Sequence, residues 1–211
     1  GFNSFLWSEN GIIETIQSLI LLFTLLHLYK IIKKSNQKSL SKFFICILYL
    51  YSLGVLYFLL EEISWGQNFF KWQSNSFFLE YNNQGETNIH NISNLFNQLP
   101  RGLLTCWCCL PFLIFKVLNK NSKNVNYLKF VFPKKELQYI SIILILFVIP
   151  DLIIDKFNLN TANGEHTYSI NSYEIYTFIS FNFIRLSEYQ ELLITIYLYN
   201  HAIFYKKYLY Q

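Results

Sequence analysis

Five apolar runs of membrane-spanning length, separated by short polar segments, leave this 211-residue chain few ways to fold. They cover residues 11 to 31, 43 to 62, 101 to 118, 137 to 155 and roughly 186 to 205. About 20 residues at a rise of 1.5 Å cross a hydrocarbon core of ~30 Å. The expected fold is therefore all-α, a polytopic transmembrane helical bundle of about five spans. Residues 1–211 read as a single integral membrane domain, with no Gly/Ser linker and no internal repeat. The first run is too long for a signal peptide and lacks a small-residue cleavage site, so none is expected.

Charge gives the bundle an orientation. Thirteen of the 17 Lys and Arg residues lie between Lys30 and Lys42, between Lys116 and Lys135, or at Lys206 and Lys207. All but one of the 13 Asp and Glu residues occupy the alternate segments or the helix ends facing them, Glu136 being the exception. Short Lys-rich loops stay on the cytoplasmic side, so the N-terminus is expected outside and the C-terminus inside.

Charged residues make up 14% of the chain, where a soluble domain carries about 25%, and aromatic residues make up 19%. The net charge of +4 thus reports membrane topology. The bases flank spans as anchors, no nucleic-acid-binding pattern accompanies them, and no nucleic-acid partner is expected. Cys106, Cys108 and Cys109 fall inside the third run, where helical spacing scatters thiols around the axis, so they read as packing residues with no disulfide or zinc role.

The first outer loop, residues 66–100, is rich in Asn and Gln. Its second half, GETNIHNISNLFNQLP, reads as a short amphipathic helix preceded by Gly85 and ended by Pro100. Residues 156–172 read as a turn-rich loop, and the apolar stretch after them as an interfacial or re-entrant segment before the last span. Trp65 and Trp72 fit the aromatic belt at a bilayer surface. His27 and His201 lie toward the inner ends of their spans and read as packing residues.

Ionisable groups at the edge of a bilayer core cost about 2.5 to 3.5 kcal/mol each on insertion scales, so a concentration of them asks for a partner or a function. One level of this chain carries such a concentration. Glu9 and Glu14 begin the first span, Gln17 shares a face with Glu14, and Glu61 and Glu62 end the second. Glu86 and His90 are spaced i, i+4 in the expected outer helix, Asp151 and Asp155 end the fourth span, and Glu188 and Glu191 begin the fifth. Up-down packing brings these ends together, with Arg185 as a candidate counter-charge. Carboxylates with one imidazole are the ligand chemistry of a divalent cation, which makes Glu14, Glu61, Glu62, Glu86, His90, Glu188 and Glu191 the candidate metal ligands. Glu62, His90 and Glu188 are the candidate catalytic groups. Two other readings stay open: acids that snorkel to the interface and bond loop amides, and a metal-free proton-coupled or substrate-binding site.

The blocks ENGIIE, EEISWGQ, NQGETNIHN and the late ExxE together resemble a group of uncharacterised bacterial multi-pass membrane proteins, EEISWGQ being the most distinctive. The resemblance implies that Glu9, Glu14, Glu61, Glu62, Gln67, Gln84, Glu86, His90, Asn91, Glu188 and Glu191 belong to one site, and it brings no activity. The bacterial inner membrane is the expected location. The leading expectation is an outward-facing cavity that binds a divalent metal ion and acts on a lipid or lipid-linked substrate. A non-catalytic subunit packed against other membrane subunits is the second, and an ion or proton conduit the third.

Overall fold

The computed structural model describes residues 11–37, 41–82, 85–89, 92–117, 137–146, 160–161, 168–170, 173–174 and 186–210. Helix α1 spans Ile12–Gln37, with Glu14 in its first turn and Lys34 in its last, both favourable to the helix dipole. Helix α2 spans Lys42–Glu62 and is capped by Ser41, whose hydroxyl oxygen accepts the Phe44 N–H at 3.3 Å. These two helices match the first two expected spans, and both are long and apolar enough to cross a membrane. Hydroxyls inside them bond backward along the helix, Thr24 to the Ile20 carbonyl at 2.7 Å and Ser52 to the Leu48 carbonyl at 2.8 Å. That local bond is how a polar side chain survives in an apolar helix.

After the short helices α3 (Gln67–Phe70) and α4 (Ser76–Tyr81) come longer ones; α1 packs along both α2 and the last helix, α7 (Leu186–Tyr210), and α7 also carries α5 (Asn94–Val117). The helix at 138–146, α6, leans on α5 through Ser141, whose hydroxyl donates to the Cys108 carbonyl at 2.8 Å. Leu21 and Leu28 of α1, Leu48 and Val55 of α2, Ile194 and Tyr197 of α7 and Cys108 of α5 form the core. Two tyrosines fasten α7 to its neighbours. Tyr51 donates to the Leu198 carbonyl at 2.6 Å and Tyr197 to the Cys108 carbonyl at 3.0 Å. His201 is buried among the rings of Tyr51, Trp107 and Tyr205, at centroid distances of 4.7 to 5.3 Å, which agrees with a packing role.

Only 22% of the apolar window of α1, and the same share of that of α2, is buried inside the chain. Phe23 is 57% exposed and Leu50 63% exposed. A core helix of a water-soluble domain would hide such side chains, so these faces ask for an apolar surrounding.

Two expectations about the loops are overturned. Residues 85–89 form no helix, so Glu86 and His90 do not share a helical face there. The helix starts at Asn94, where the Ser93 hydroxyl oxygen accepts the Phe96 N–H at 3.3 Å, and runs unbroken through Pro100 to Val117. Pro100 lacks one backbone donor but does not stop the helix, a tolerance that neighbouring groups in membrane helices commonly supply. The loop expected at 156–172 contains parts of a small antiparallel sheet. Strands β1 (Asn160–Thr161), β2 (Tyr168–Ile170) and β3 (Tyr173–Glu174) pair Thr161 with Tyr168 and Ile170 with Tyr173. Among the described residues the remainder is helix or connecting loop. Residues 147–155 of the fourth expected span and most of the expected interfacial stretch lie outside the described residues.

Candidate functional site

The site is built where α2 stops. Ser64, Trp65 and Gly66 take left-handed backbone angles in succession, with φ of 46°, 56° and 94°. Glycine adopts this conformation freely, whereas Ser and Trp do so at a cost of roughly 1 to 2 kcal/mol each. Something must hold them, and the turn is held by a polar network reaching across to residues 82–89.

Glu61, only 4% exposed, is the first anchor. One carboxylate oxygen accepts the Trp65 indole N–H and the other the backbone N–H of Ile89, both at 2.8 Å. Glu86 is the second anchor. A single oxygen, Oε2, accepts the Ser64 hydroxyl and the Asn88 side-chain amide, the latter at 2.7 Å. Gln67 is the third. Its carbonyl accepts the Thr87 N–H at 2.7 Å, its amide donates to the Ser74 hydroxyl oxygen at 2.9 Å, and Ser74 donates onward to the Gly85 carbonyl at 2.5 Å. The Thr87 hydroxyl closes the ring on the Ser64 carbonyl at 2.7 Å. Asn82 donates to both the backbone and side-chain oxygens of Asn88 at 2.8 Å. Ser64, Asn82 and Asn88 are buried, so this is a desolvated network whose members satisfy one another.

Between this turn and two helix starts lies a small pocket of roughly 30 Å³, lined by Glu61, Glu62, Arg101 and Glu191 together with Tyr57, Phe58, Phe96 and Pro100. Arg101 Nε stands 3.5 Å from the Glu191 carboxylate, both side chains largely buried. One residue earlier in α7, Gln190 donates to the Thr105 hydroxyl oxygen at 3.1 Å, so α5 and α7 meet along a polar stripe at this end. Glu61 and Glu62 sit at the C-terminal end of α2, where the helix dipole opposes negative charge. Donors and cations drawn from other elements offset that. Tyr57, Phe58 and Pro100 also line a larger groove of about 320 Å³ between α2 and α5, its other walls including Leu50, Gly54, Leu103, Trp107 and Leu198. Polar pocket and apolar groove thus share three lining residues.

Of the acids singled out in the sequence, the structure brings Glu61, Glu62 and Glu191 to one pocket, and Glu61, Gln67 and Glu86 into one network. Glu14 sits half-buried in the first turn of α1, away from the pocket lining, above the fully buried Gln17. Glu9, Gln84, His90, Asn91, Asp151, Asp155, Arg185 and the side chain of Glu188 lie outside the described residues. Among the described residues no three His, Cys, Asp or Glu side chains gather closely enough to ligate a metal ion. Arg101 is the counter-charge that sequence reasoning missed. Its signal was an Arg at the edge of an apolar run, where a cation is expensive without a carboxylate. Ser64, Ser74, Asn82, Thr87 and Asn88 were also missed.

No protein-family model matches the chain, and no curated protein or solved structure matches it.

Proposed function

We propose that this chain is a five-span protein of the bacterial inner membrane, N-terminus outside and C-terminus inside, whose outward-facing carboxylate pocket binds a cation and serves a lipid or lipid-linked substrate. The observation that carries the reading is the pocket itself. Three carboxylates and one guanidinium line a space at the end of a helix long and apolar enough to span, and that space shares three lining residues with an apolar groove. With more acids than bases, such a pocket favours a positive partner.

A divalent metal ion is one such partner. Glu61 and Glu86 already accept hydrogen bonds from the loop, and Glu191 pairs with Arg101; this reading assigns the ion to Glu62 and Glu191, with His90 and Glu188. A cation held there would polarise a phosphoryl or acyl oxygen or activate water, with His90 as general base. A ligand bound only by the folded state stabilises it by about 2.7 kcal/mol at a hundredfold excess over its dissociation constant. Melting temperatures are therefore measured with EDTA, Mg2+, Mn2+, Ca2+ and Zn2+ on the wild type, Glu62→Gln and His90→Ala. A cation-dependent rise in the wild type that both variants lose supports a metal enzyme. No rise with any ion refutes the metal role and leaves the pocket's positive partner to the substrate.

A non-catalytic subunit of a membrane assembly is the second reading. Glu61 and Glu86 fastening a loop favours it, as do the exposed aromatic side chains of Phe69 and Phe70.

A further inference from the structure

Gly54 stands in the middle of α2, at a position where a β-carbon would meet nothing within 4 Å. Glycine in a helix interior costs about 1 kcal/mol relative to alanine, and close packing against a neighbouring helix is the usual compensation in membranes. Among the described residues no such packing reaches the place its β-carbon would occupy. Its missing side chain instead leaves open the floor of the groove between α2 and α5, two helices that share few contacts. The walls of the groove are apolar, Leu50, Val55, Leu103, Leu104 and Trp107 among them.

We infer that this groove holds one acyl chain of a membrane lipid whose headgroup carries a primary ammonium, and that the ammonium enters the pocket of Glu62 and Glu191. The inference rests on the membrane reading above and names the substrate class of the same site. Three features select this occupant. The groove and the pocket share Tyr57, Phe58 and Pro100 as lining, and this adjacency fits an amphiphile with a chain at one end and a charge at the other. A metal ion alone would leave the groove unused, and a partner helix would leave the pocket unused. Carboxylates outnumber the single guanidinium around the pocket, which matches a cation. Its volume of roughly 30 Å³ admits one or two water-sized groups, which suits –NH3+ and is too small for a trimethylammonium or a sugar. An ammonium also offers three N–H donors to carboxylates, which a quaternary amine lacks.

The test uses the full chain in nanodiscs of phosphatidylglycerol doped with a lipid bearing a photoactivatable diazirine on its acyl chain, headed by phosphoethanolamine or by phosphocholine. Cross-linked residues are mapped by mass spectrometry. The expected result is a yield at Leu50, Leu103 and Trp107 about tenfold higher for the phosphoethanolamine probe, as befits a gain of charge-assisted hydrogen bonds. Phe23 and Leu26, exposed on α1, report ordinary surrounding lipid and are expected to show no preference. Gly54→Leu projects its side chain into the groove from a position where a β-carbon meets nothing within 4 Å, and is expected to lower the groove yield about tenfold while sparing Phe23 and Leu26. Equal yields for the two headgroups, still lost in Gly54→Leu, would overturn the ammonium while leaving the amphiphile reading standing. A yield indifferent to Gly54→Leu would overturn the groove as a chain site. A dimer in native mass spectra that Gly54→Leu dissolves would show that a second copy fills the groove and would overturn it equally. The headgroup comparison runs on unmutated protein, so it stands whatever the variant does.

Discussion

Glu61→Gln tests whether the carboxylate at the end of α2 is a fastener or a spare ligand. In the structure its two oxygens accept one bond each, from Trp65 and Ile89, in a side chain almost without solvent contact. Glutamine keeps one carbonyl and turns an NH2 toward the other donor. A hydrogen bond to a charged acceptor contributes about 1.5 to 3 kcal/mol, and a donor left unsatisfied costs about 1 to 3 kcal/mol. Against this stands the removal of a negative charge from a helix C-terminus, a relief of roughly 0.3 to 1 kcal/mol. The expected net loss is about 1 to 2 kcal/mol, concentrated on the loop and not on the bundle. An energy of that size corresponds to roughly 5- to 30-fold faster exchange of the Ile89 amide. Hydrogen–deuterium exchange with mass spectrometry on the peptide carrying Ile89 measures it in detergent micelles. Trp65→Phe removes the indole donor alone, and because both variants disrupt the same bond, the double variant should cost less than the sum of the two. Glu62→Gln is the control and should leave the Ile89 amide as it is. An Ile89 amide that exchanges at the wild-type rate in Glu61→Gln, or equally fast in Glu62→Gln, would refute the fastening role.

Three further outcomes are expected. A cysteine placed at Asn83 should react with an impermeant reagent from outside and one at Lys123 should not, in a background where the exposed Cys46 and Cys106 are serine; the reverse pattern would turn the carboxylate pocket inward. Gly66→Ala should lower stability by roughly 1 to 2 kcal/mol, because the residue holds φ at 94° and the new β-carbon would lie 3.3 Å from the Phe70 ring. Gly54→Ala should instead raise stability by up to about 1 kcal/mol, and equal effects of the two alanines on the melting temperature would contradict the account of both glycines.

Helices α1 and α2 were readable because hydrophobicity over 20 residues is a local property; α2 ends where its apolar run does, whereas α1 continues through a polar turn to Gln37. Glu61 and Glu62 were readable as a pair at a helix end for the same reason. What they bond to was not. Ile89 contributes only a backbone N–H, which every residue but proline has, so no side-chain pattern marks it. Pro100 misled because a proline reads as a helix stop when the helix is assumed to begin far upstream. Ser93, the residue that caps the true start, carried the better signal in ISNLF. Arg101 went unseen as a partner of Glu191 because the pairing depends on how α5 lies against α7, which the order of the elements does not specify.

The fastening of Glu61 to Ile89 has a consequence for how the protein is made. The two residues are separated by 28 positions, and chains grow at about 5 to 20 residues per second, so roughly 1 to 6 seconds of synthesis pass before the carboxylate meets its second donor. During that interval the end of α2 carries an acid with one of its two donors still to come. Trp65, four residues on, arrives almost at once and offers its indole N–H. Of the two bonds, only the one to Trp65 can form before residue 89 exists, so the loop that follows closes onto a carboxylate already half engaged.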